Sequence, residues 1–250
     1  MSRSIYELTS PDVEATLAAS RTVVLPFGSI EQHGPHLPCG TDTIAAELIA
    51  KSLANRLNGL YVPFCPYGIT PIHSGFPGTI SLGRTTFEHL LTDVCRALID
   101  MGAETFVLVN WHEGNTASLN AVATDLQAEQ DARFYVAQAC YVAQRIYEAR
   151  GGTLTHGGGI ETLAVMAHDA RLVRQDRVEA GGGTTSAPAV DEMRRGREVY
   201  GFVTDIRDVT EAGWYGDPSW ATPELAETFE ASIVDDIAAQ LEQFMTQGRD

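Results

Sequence analysis

The pattern of apolar and polar positions alternates between strand-like and helix-like segments along most of the chain. Short apolar runs predict buried strands over 22–27, 60–64, 105–109 and 133–137. Apolar residues at helical spacing predict amphipathic helices over 43–57, 87–101, 117–129 and 223–244, and a segment rich in Gly and Pro predicts a loop over 66–79. This alternation favours a layered α/β fold with a mostly parallel central sheet.

Glycine runs interrupt the region between the last predicted strand and the last predicted helix. Those at 151–152 and 157–159 bracket a candidate site loop, and the run at 181–183, with 184–188, indicates a mobile surface loop or a boundary. Neither side of this boundary carries the apolar pattern of an independent core. We therefore interpret residues 1–250 as a single domain.

Composition and charge narrow the class of protein. Hydrophobic residues make up 44% and charged residues 20%, which predicts an ordered globular chain. The formal net charge of −16, with no basic cluster, predicts a protein that binds neither nucleic acid nor an anionic membrane. The amino terminus lacks the apolar stretch of a signal peptide, and no apolar run reaches transmembrane length. We expect a cytoplasmic enzyme with a small-molecule substrate.

The four cysteines predict neither a disulfide framework nor a zinc ribbon, because they are widely spaced and form no CxxC pair. Cys95 and Cys140 lie in apolar surroundings and are expected to be small core residues. Cys39 lies inside the segment that carries the densest group of metal-binding residue types, so we expect it near the site. No local pattern marks it as a nucleophile.

That segment, 28–42, directly follows the first predicted strand. Glu31 and His33 are two positions apart, so in extended chain both side chains can face one ion. Asp42 follows a loop that contains Pro and Gly and that can fold back, and its two carboxylate oxygens can bridge two cations. The end of a buried strand is where open α/β sheets usually bind ligands. A helix cap is the alternative role for Asp42.

A second cluster, 110–115, begins where the strand predicted over 105–109 ends. The carboxyl ends of parallel strands share one edge of the sheet, so His112 can complete a mixed set of imidazole and carboxylate ligands. Such a set suits zinc or manganese. A buried, hydrogen-bonded histidine is the alternative for His112, and Glu113 is expected outside the ligand set.

A third cluster, 155–162, places His156 on a turn and Glu161 at the start of a helix. Two divalent ions that share ligands can activate water and polarise a carbonyl, and a neighbouring His or Glu can then carry the proton to the leaving nitrogen. We expect His36 to support the ligands. The remaining histidines lack clustered partners and are expected to be structural or surface residues: His73, His89 and His168.

No nucleophile elbow, P-loop or dinucleotide fingerprint accompanies these clusters. Together they resemble the creatininase (creatinine amidohydrolase) family over nearly the whole chain, most specifically at 28–38 with Thr41 and Asp42. Weaker motifs support the resemblance at 75–79, 110–112, 114–115, 156–162 and 216–218. The resemblance implies a three-layer α/β/α sandwich and a centre of two zinc, manganese or iron ions. It also implies hydrolysis of amide-like bonds and a homo-oligomer, a hexamer in many members.

The resemblance also assigns ligands by position. Glu31 and His112 would hold one metal, His33 the other, and Asp42 would bridge them. His156 matches a histidine proposed to assist proton transfer, and it is the catalytic candidate together with Glu161. Glu161 matches a glutamate beside the metals, either as a ligand or as an acid or base.

Two departures from the family pattern concern the ligands and the substrate. Creatininases carry a metal-binding glutamate where this chain has Gly114. Between the two candidate replacements, Glu113 and Glu161, we favour Glu161, because side chains one position apart point in different directions in extended chain. They also carry tryptophans shortly before the third-cluster histidine, where this chain has residues 151–154. Trp111 stands where a glycine is more usual and is expected to reshape the pocket.

We therefore predict a two-metal amidohydrolase that cleaves a C–N bond of a small cyclic amide or formamide-type substrate. One alternative is a peptidase that trims a precursor peptide, and another is a hydrolase of a lactone or cyclic ketone. A non-catalytic metal-binding assembly protein is the alternative outside enzymes. A deep closed pocket would favour the cyclic amide, and an open groove would favour the peptide.

Overall fold

A parallel sheet of four strands forms the centre of the protein in the computed structural model, which describes residues 3–150, 154–178, 183, 188–194 and 198–247. In chain order the strands are β1 (Thr22–Phe27), β2 (Leu60–Tyr61), β3 (Thr105–Asn110) and β4 (Arg133–Gln138), and their order in the sheet is β2-β1-β3-β4. The four strands agree with the predicted ones. β2 is shorter than predicted because Pro63 has no backbone N–H to continue the ladder.

The helices within the described residues are α1 (Ser10–Ser20), α2 (Thr41–Arg56), α3 (Arg84–Asp100), α4 (Thr116–Glu129), α5 (Ala139–Tyr147), α6 (Gly159–Asp169), α7 (Pro188–Arg194) and α8 (Pro223–Gln247). The four predicted helices correspond to α2, α3, α4 and α8. The helices α1, α5 and α7 were not predicted, although Thr9 and Asp12 form a capping box at the start of α1. The glycines at 151–152 and 181–182, with residues 184–187, lie outside the described residues.

Helices cover both faces of the sheet and make three layers, as predicted. Side chains alternate along β1, so Val24 packs with α2, α5, α6 and α8 in one apolar core. Its neighbours Val23 and Leu25 pack with α1, α3 and α4 in the other. Because both faces are covered, the burial of β1 is continuous rather than alternating.

The order of the strands creates a crevice between β1 and β3. The chain runs from β1 through α2 to β2 on one side, and then returns through α3 to β3 on the other side of β1. Right-handed crossovers in opposite directions put α2 and α3 on opposite faces. The loops after β1 and β3 therefore diverge at one point on the carboxyl edge of the sheet, which is where α/β proteins bind ligands.

No helix within the described residues is long and apolar enough to cross a membrane. The four cysteines are free thiols, and Cys95 and Cys140 are buried as predicted.

Candidate metal centre

The loop after β1 carries Glu31 and His33 into the crevice. Its backbone is fixed where the Glu31 N–H donates to the carbonyl of Cys39 (2.9 Å), so Cys39 meets the site through its main chain. The loop then turns into α2, and Asp42 lies in the first turn of that helix. The hydroxyl of Ser29 donates to Asp42 Oδ2 (2.9 Å) and holds the carboxylate against the loop.

The segment after β3 brings His112 to the same place. The side-chain amide of Asn110 donates to the His112 carbonyl (2.8 Å), which fixes the turn beyond the strand. His112 Nδ1 then lies 3.0 Å from Asp42 Oδ2 and 3.5 Å from Glu31 Oε2. The predicted meeting of the first two clusters at the edge of the sheet is thus observed.

The third cluster reaches the site from the turn before α6. Two backbone hydrogen bonds between His156 and Tyr215, of 3.0 and 2.8 Å, anchor this turn. His36 donates from Nε2 to the Gly157 carbonyl (2.9 Å), so it supports the turn that bears His156, consistent with the predicted supporting role. Glu161, in the first turn of α6, places Oε1 3.6 Å from His33 Nε2 and accepts a hydrogen bond through Oε2 from the Gly157 N–H.

The carboxylates and imidazoles form overlapping sets of three. Glu31, Asp42 and His112 offer ligand atoms within 4.8 Å of one another, and so do His33, Asp42 and Glu161. Asp42 belongs to both sets, with Oδ1 3.2 Å from His33 and Oδ2 3.0 Å from His112. A further set of three combines His156 with Glu31 and His33.

Backbone carbonyls orient three of the imidazoles. His33 Nδ1 lies 3.1 Å from the Glu31 carbonyl, His112 Nε2 lies 3.1 Å from the Ile69 carbonyl, and His156 Nε2 lies 2.6 Å from the Gln32 carbonyl. A carbonyl can only accept, so each of these nitrogens carries the proton and the other nitrogen of the ring presents its lone pair to the carboxylates. This outer hydrogen bond is typical of histidines that bind metals.

The donor set fits divalent ions. Glu31 Oε2 and His33 Nε2 are buried and make no hydrogen bond within the described part of the chain. The His33 lone pair faces the carboxylates of Asp42 and Glu161, an arrangement that needs a cation between the groups. Imidazole nitrogens and carboxylate oxygens together suit zinc and manganese.

In the absence of a metal ion, the imidazole rings of His33 and His112 tend to be protonated. Burial alone lowers the pKa of His33, but the charges of Asp42 and Glu161 outweigh it and raise the pKa well above the usual value. The pKa of His112 rises to about 9 for the same reason, because Glu31 and Asp42 outweigh burial. Burial raises the pKa of Asp42, but His33 and His112 outweigh it and lower that pKa. The cluster therefore attracts cations.

His156 behaves differently from those two rings. Its burial, and then the neighbouring imidazoles of His33 and His73, hold its pKa well below the usual value. Its Nδ1 lies 3.7 Å from Glu31 Oε1. A neutral imidazole at this position can accept a proton from a group in the site.

Glu113 and Glu161 differ in their surroundings. Glu113 accepts a hydrogen bond from the Tyr141 hydroxyl (2.8 Å) and belongs to none of the sets of three. A Cβ added to Gly114 would lie 2.2 Å from the Ile69 carbonyl oxygen and 2.5 Å from His112 Nε2. This backbone therefore leaves no room for the glutamate that the resemblance implies at this position.

The sequence did not identify His73 as part of the site. Its ring is buried and stacks on His156 at 4.1 Å, and its Nε2 lies 3.6 Å from Glu31 Oε1. The side-chain nitrogen of Gln32 lies 3.2 Å from His73 Nδ1, and burial lowers the pKa of His73 to about 4. His89 and His168 are exposed, as expected of surface residues.

A cavity of about 1350 Å³, as the described residues define it, lies over the carboxylates and imidazoles. Glu31, Asp42, His112, His156 and Glu161 form part of its floor. Aromatic side chains and one arginine form part of its walls: Trp111, Tyr141, Tyr200, Phe202 and Arg84.

Known proteins are similar to this chain in sequence and in fold. The family profile described as creatinine amidohydrolase matches residues 6–241. A mycofactocin precursor peptide peptidase of Mycobacterium ulcerans is 32% identical over 92% of this chain and 87% of that protein. A creatinine amidohydrolase of Pseudomonas putida is 32% identical over 71% of this chain and 77% of that protein.

Solved structures of creatininases are also similar to this protein. A structure described as creatininase Mn superposes with a TM-score of 0.78 at 27% identity, over 97% of this chain and 98% of that one. A creatininase variant of the Zn-Zn type superposes with a TM-score of 0.77 at 26% identity, over the same shares of the two chains. The resemblance carried by the motifs is confirmed: the chain belongs to the creatininase family and is a metal-dependent hydrolase of carbon–nitrogen bonds.

Proposed function

We propose that this protein uses two divalent metal ions to hydrolyse an amide bond in a peptide-like substrate. The observation that carries the proposal is the pair of three-ligand sets that share Asp42. Glu31, Asp42 and His112 would hold one ion, and His33, Asp42 and Glu161 the other. Two ions bound there would polarise the carbonyl of the substrate and activate water for attack.

The protein's own residues supply the proton transfer. His156 presents the lone pair of Nδ1 to the site because its Nε2 proton is committed to the Gln32 carbonyl. It would take a proton from the attacking water and deliver it to the leaving nitrogen. Glu161 acts in this scheme as a ligand rather than as the acid, because its Oε1 faces His33 and its Oε2 is held by the Gly157 N–H.

The size of the cavity supports a peptide-like substrate over the small cyclic amide that we predicted first. Ligand sites for drug-sized molecules occupy about 300–1000 Å³, and this cavity is larger, at about 1350 Å³. The Mycobacterium ulcerans relative, matched over most of both chains, is named for cleavage of a precursor peptide. A small cyclic amide is the second candidate, since the Pseudomonas putida relative is named for creatinine.

Metal analysis and hydrolysis assays on Asp42→Asn test the proposal. We expect two ions per chain in the wild type, loss of both ions in the variant, and a fall of more than a thousandfold in amide hydrolysis, because both ligand sets contain Asp42. Asp125→Asn is the matched control, since Asp125 is exposed on α4. A wild type without metal, or an Asp42→Asn variant as active as wild type, would contradict the mechanism.

The substrate is tested by comparing linear peptides with creatinine and related lactams. Faster hydrolysis of lactams than of any linear peptide would favour the second candidate. The family resemblance also predicts a cytoplasmic homo-oligomer, with a hexamer as the expected state. Light scattering on the purified protein measures that state.

A further inference from the structure

Arg84 is an exposed residue that contributes a cation to the cavity wall. Among the described residues that line the cavity it is the only arginine or lysine, and it makes no hydrogen bond or ion pair within the described part of the chain. Many other basic side chains of this acidic protein have carboxylate partners, for example Arg21 with Glu104 and Arg96 with Glu129. Within the described part of the chain, the exposed guanidinium of Arg84 is therefore available to a ligand in the cavity.

Backbone hydrogen bonds connect Arg84 to the metal centre. Arg84 is the first residue of α3, and two residues earlier the Leu82 N–H donates to the Gly68 carbonyl (2.9 Å). The next residue after Gly68 is Ile69, whose carbonyl holds the ring of His112. Arg84 thus extends from the same wall that orients a proposed metal ligand.

Local stability does not explain an arginine at this position. A positive charge in the first turn of a helix is unfavourable, because the amino end of the helix dipole is itself positive. The acidic residues on the cavity wall are engaged elsewhere: Glu113 accepts from Tyr141 (2.8 Å) and Asp191 accepts from Tyr215 (2.7 Å). Neither carboxylate pairs with Arg84, so its guanidinium can form an ion pair with a ligand that enters the cavity.

We propose that Arg84 binds a carboxylate group of the substrate, at a distance from the scissile amide bond. This inference rests on the proposed function and gives the substrate class as an amide that carries a free carboxylate. A planar guanidinium pairs with a carboxylate through two parallel hydrogen bonds. One cation balances one negative charge, whereas the net charge of −16 disfavours a phosphate dianion.

Calorimetry with a matched pair of ligands tests the proposal. N-acetyl-L-phenylalanine carries the carboxylate, and its amide lacks the charge. The aromatic group suits the cavity walls at Trp111, Tyr141 and Phe202. We expect metal-loaded wild type to bind the carboxylate about tenfold more tightly than the amide, which corresponds to one charge-assisted pair.

Variants of two arginines on α3 identify the group responsible. Arg84→Met is expected to remove the preference for the carboxylate by weakening that ligand alone, and Arg84→Lys to retain part of it. Arg96→Met removes the same charge from a surface ion pair on the same helix and should keep the full preference. A preference that survives Arg84→Met would place the carboxylate on the metals instead and overturn the inference.

Further outcomes separate this inference from the proposed function. Equal binding of the two ligands by wild type, or no binding of either, would overturn the role of Arg84. So would inorganic phosphate binding more tightly than the carboxylate in an Arg84-dependent way. Absence of metal from the wild type would instead overturn the proposed function, and the same titration on chelated protein would still report on Arg84.

Discussion

The choice between Glu161 and Glu113 as the replacement ligand can be decided by a pair of isosteric substitutions. Glu161→Gln keeps the shape of the side chain and an oxygen for the Gly157 N–H, but replaces a charged ligand of the set that contains His33 and Asp42. Glu113→Gln makes the same chemical change on a side chain that faces the Tyr141 hydroxyl. The two variants therefore carry the same chemical change, and only Glu161→Gln alters a member of the ligand sets.

The expected magnitude follows from the ligand sets. Glu161 supplies one of three protein ligand atoms in its set, so its loss leaves only His33 and Asp42. Substitution of residues that merely support metal ligands already weakens metal binding by about 10–100-fold. We expect Glu161→Gln to weaken the binding of one ion by at least about 100-fold, or ~2.7 kcal/mol. The ion bound by Glu31, Asp42 and His112 should stay in place.

Elemental analysis after dialysis and titration with zinc measure this effect. We expect two ions per chain for wild type and for Glu113→Gln, and one for Glu161→Gln. The reasoning would be refuted if Glu113→Gln lost an ion while Glu161→Gln retained both. Circular dichroism on the metal-free proteins would show that neither variant had changed the fold.

Two further predictions concern pH and the loop after β1. At pH 7 the metal-free protein holds a proton on His112, whose pKa is raised to about 9. Metal binding must displace this proton, so the affinity for the metal should rise with pH up to about 9. Calorimetry in two buffers of different ionisation enthalpy should detect the released proton, and a heat of binding that is the same in both buffers would contradict this. Gly34 has φ +76°, and an added Cβ would lie 2.7 Å from Trp214 Cγ. Gly34→Ala should lower the free energy of unfolding, measured in urea, by ~2–4 kcal/mol. Gly102→Ala is the control, because Gly102 also has a positive φ, +98°, but an added Cβ there would meet open space. Equal losses of stability in the two variants would show that the clash with Trp214 does not matter.

The meeting of the first two clusters was predictable because each directly follows an apolar strand. Glu31 and His33 come after β1 and His112 after β3, and parallel strands end at the same edge of a sheet. The local sequence pattern was therefore sufficient to predict that these residues lie close together. It did not reveal that β1 and β3 are neighbours, since strand order depends on which faces the connecting helices cover.

Other parts of the site depended on tertiary contacts that spacing does not encode. His73 lies in an irregular loop without periodicity, and it reaches the site through its stacking on His156 and its contact with Gln32. The sequence already favoured Glu161 over Glu113, but the lack of room for a side chain at Gly114 follows only from the folded backbone. The capping box of α1 was, in contrast, a local signal that was present in the sequence and was missed.

The location of Glu161 connects metal binding to proton transfer. A glutamate at position 114 would follow β3, on the same segment as His112, and would leave the turn before α6 without a ligand. Glu161 instead lies in the first turn of α6, directly after the turn that bears His156, and its Oε2 accepts a hydrogen bond from the Gly157 N–H between the two residues. An ion held by Glu161 would therefore also fix the position of His156 against the Gln32 carbonyl. Loss of that ion should consequently reduce proton transfer as well as carbonyl activation, so that the activity of Glu161→Gln falls further than the loss of one ion alone would cause.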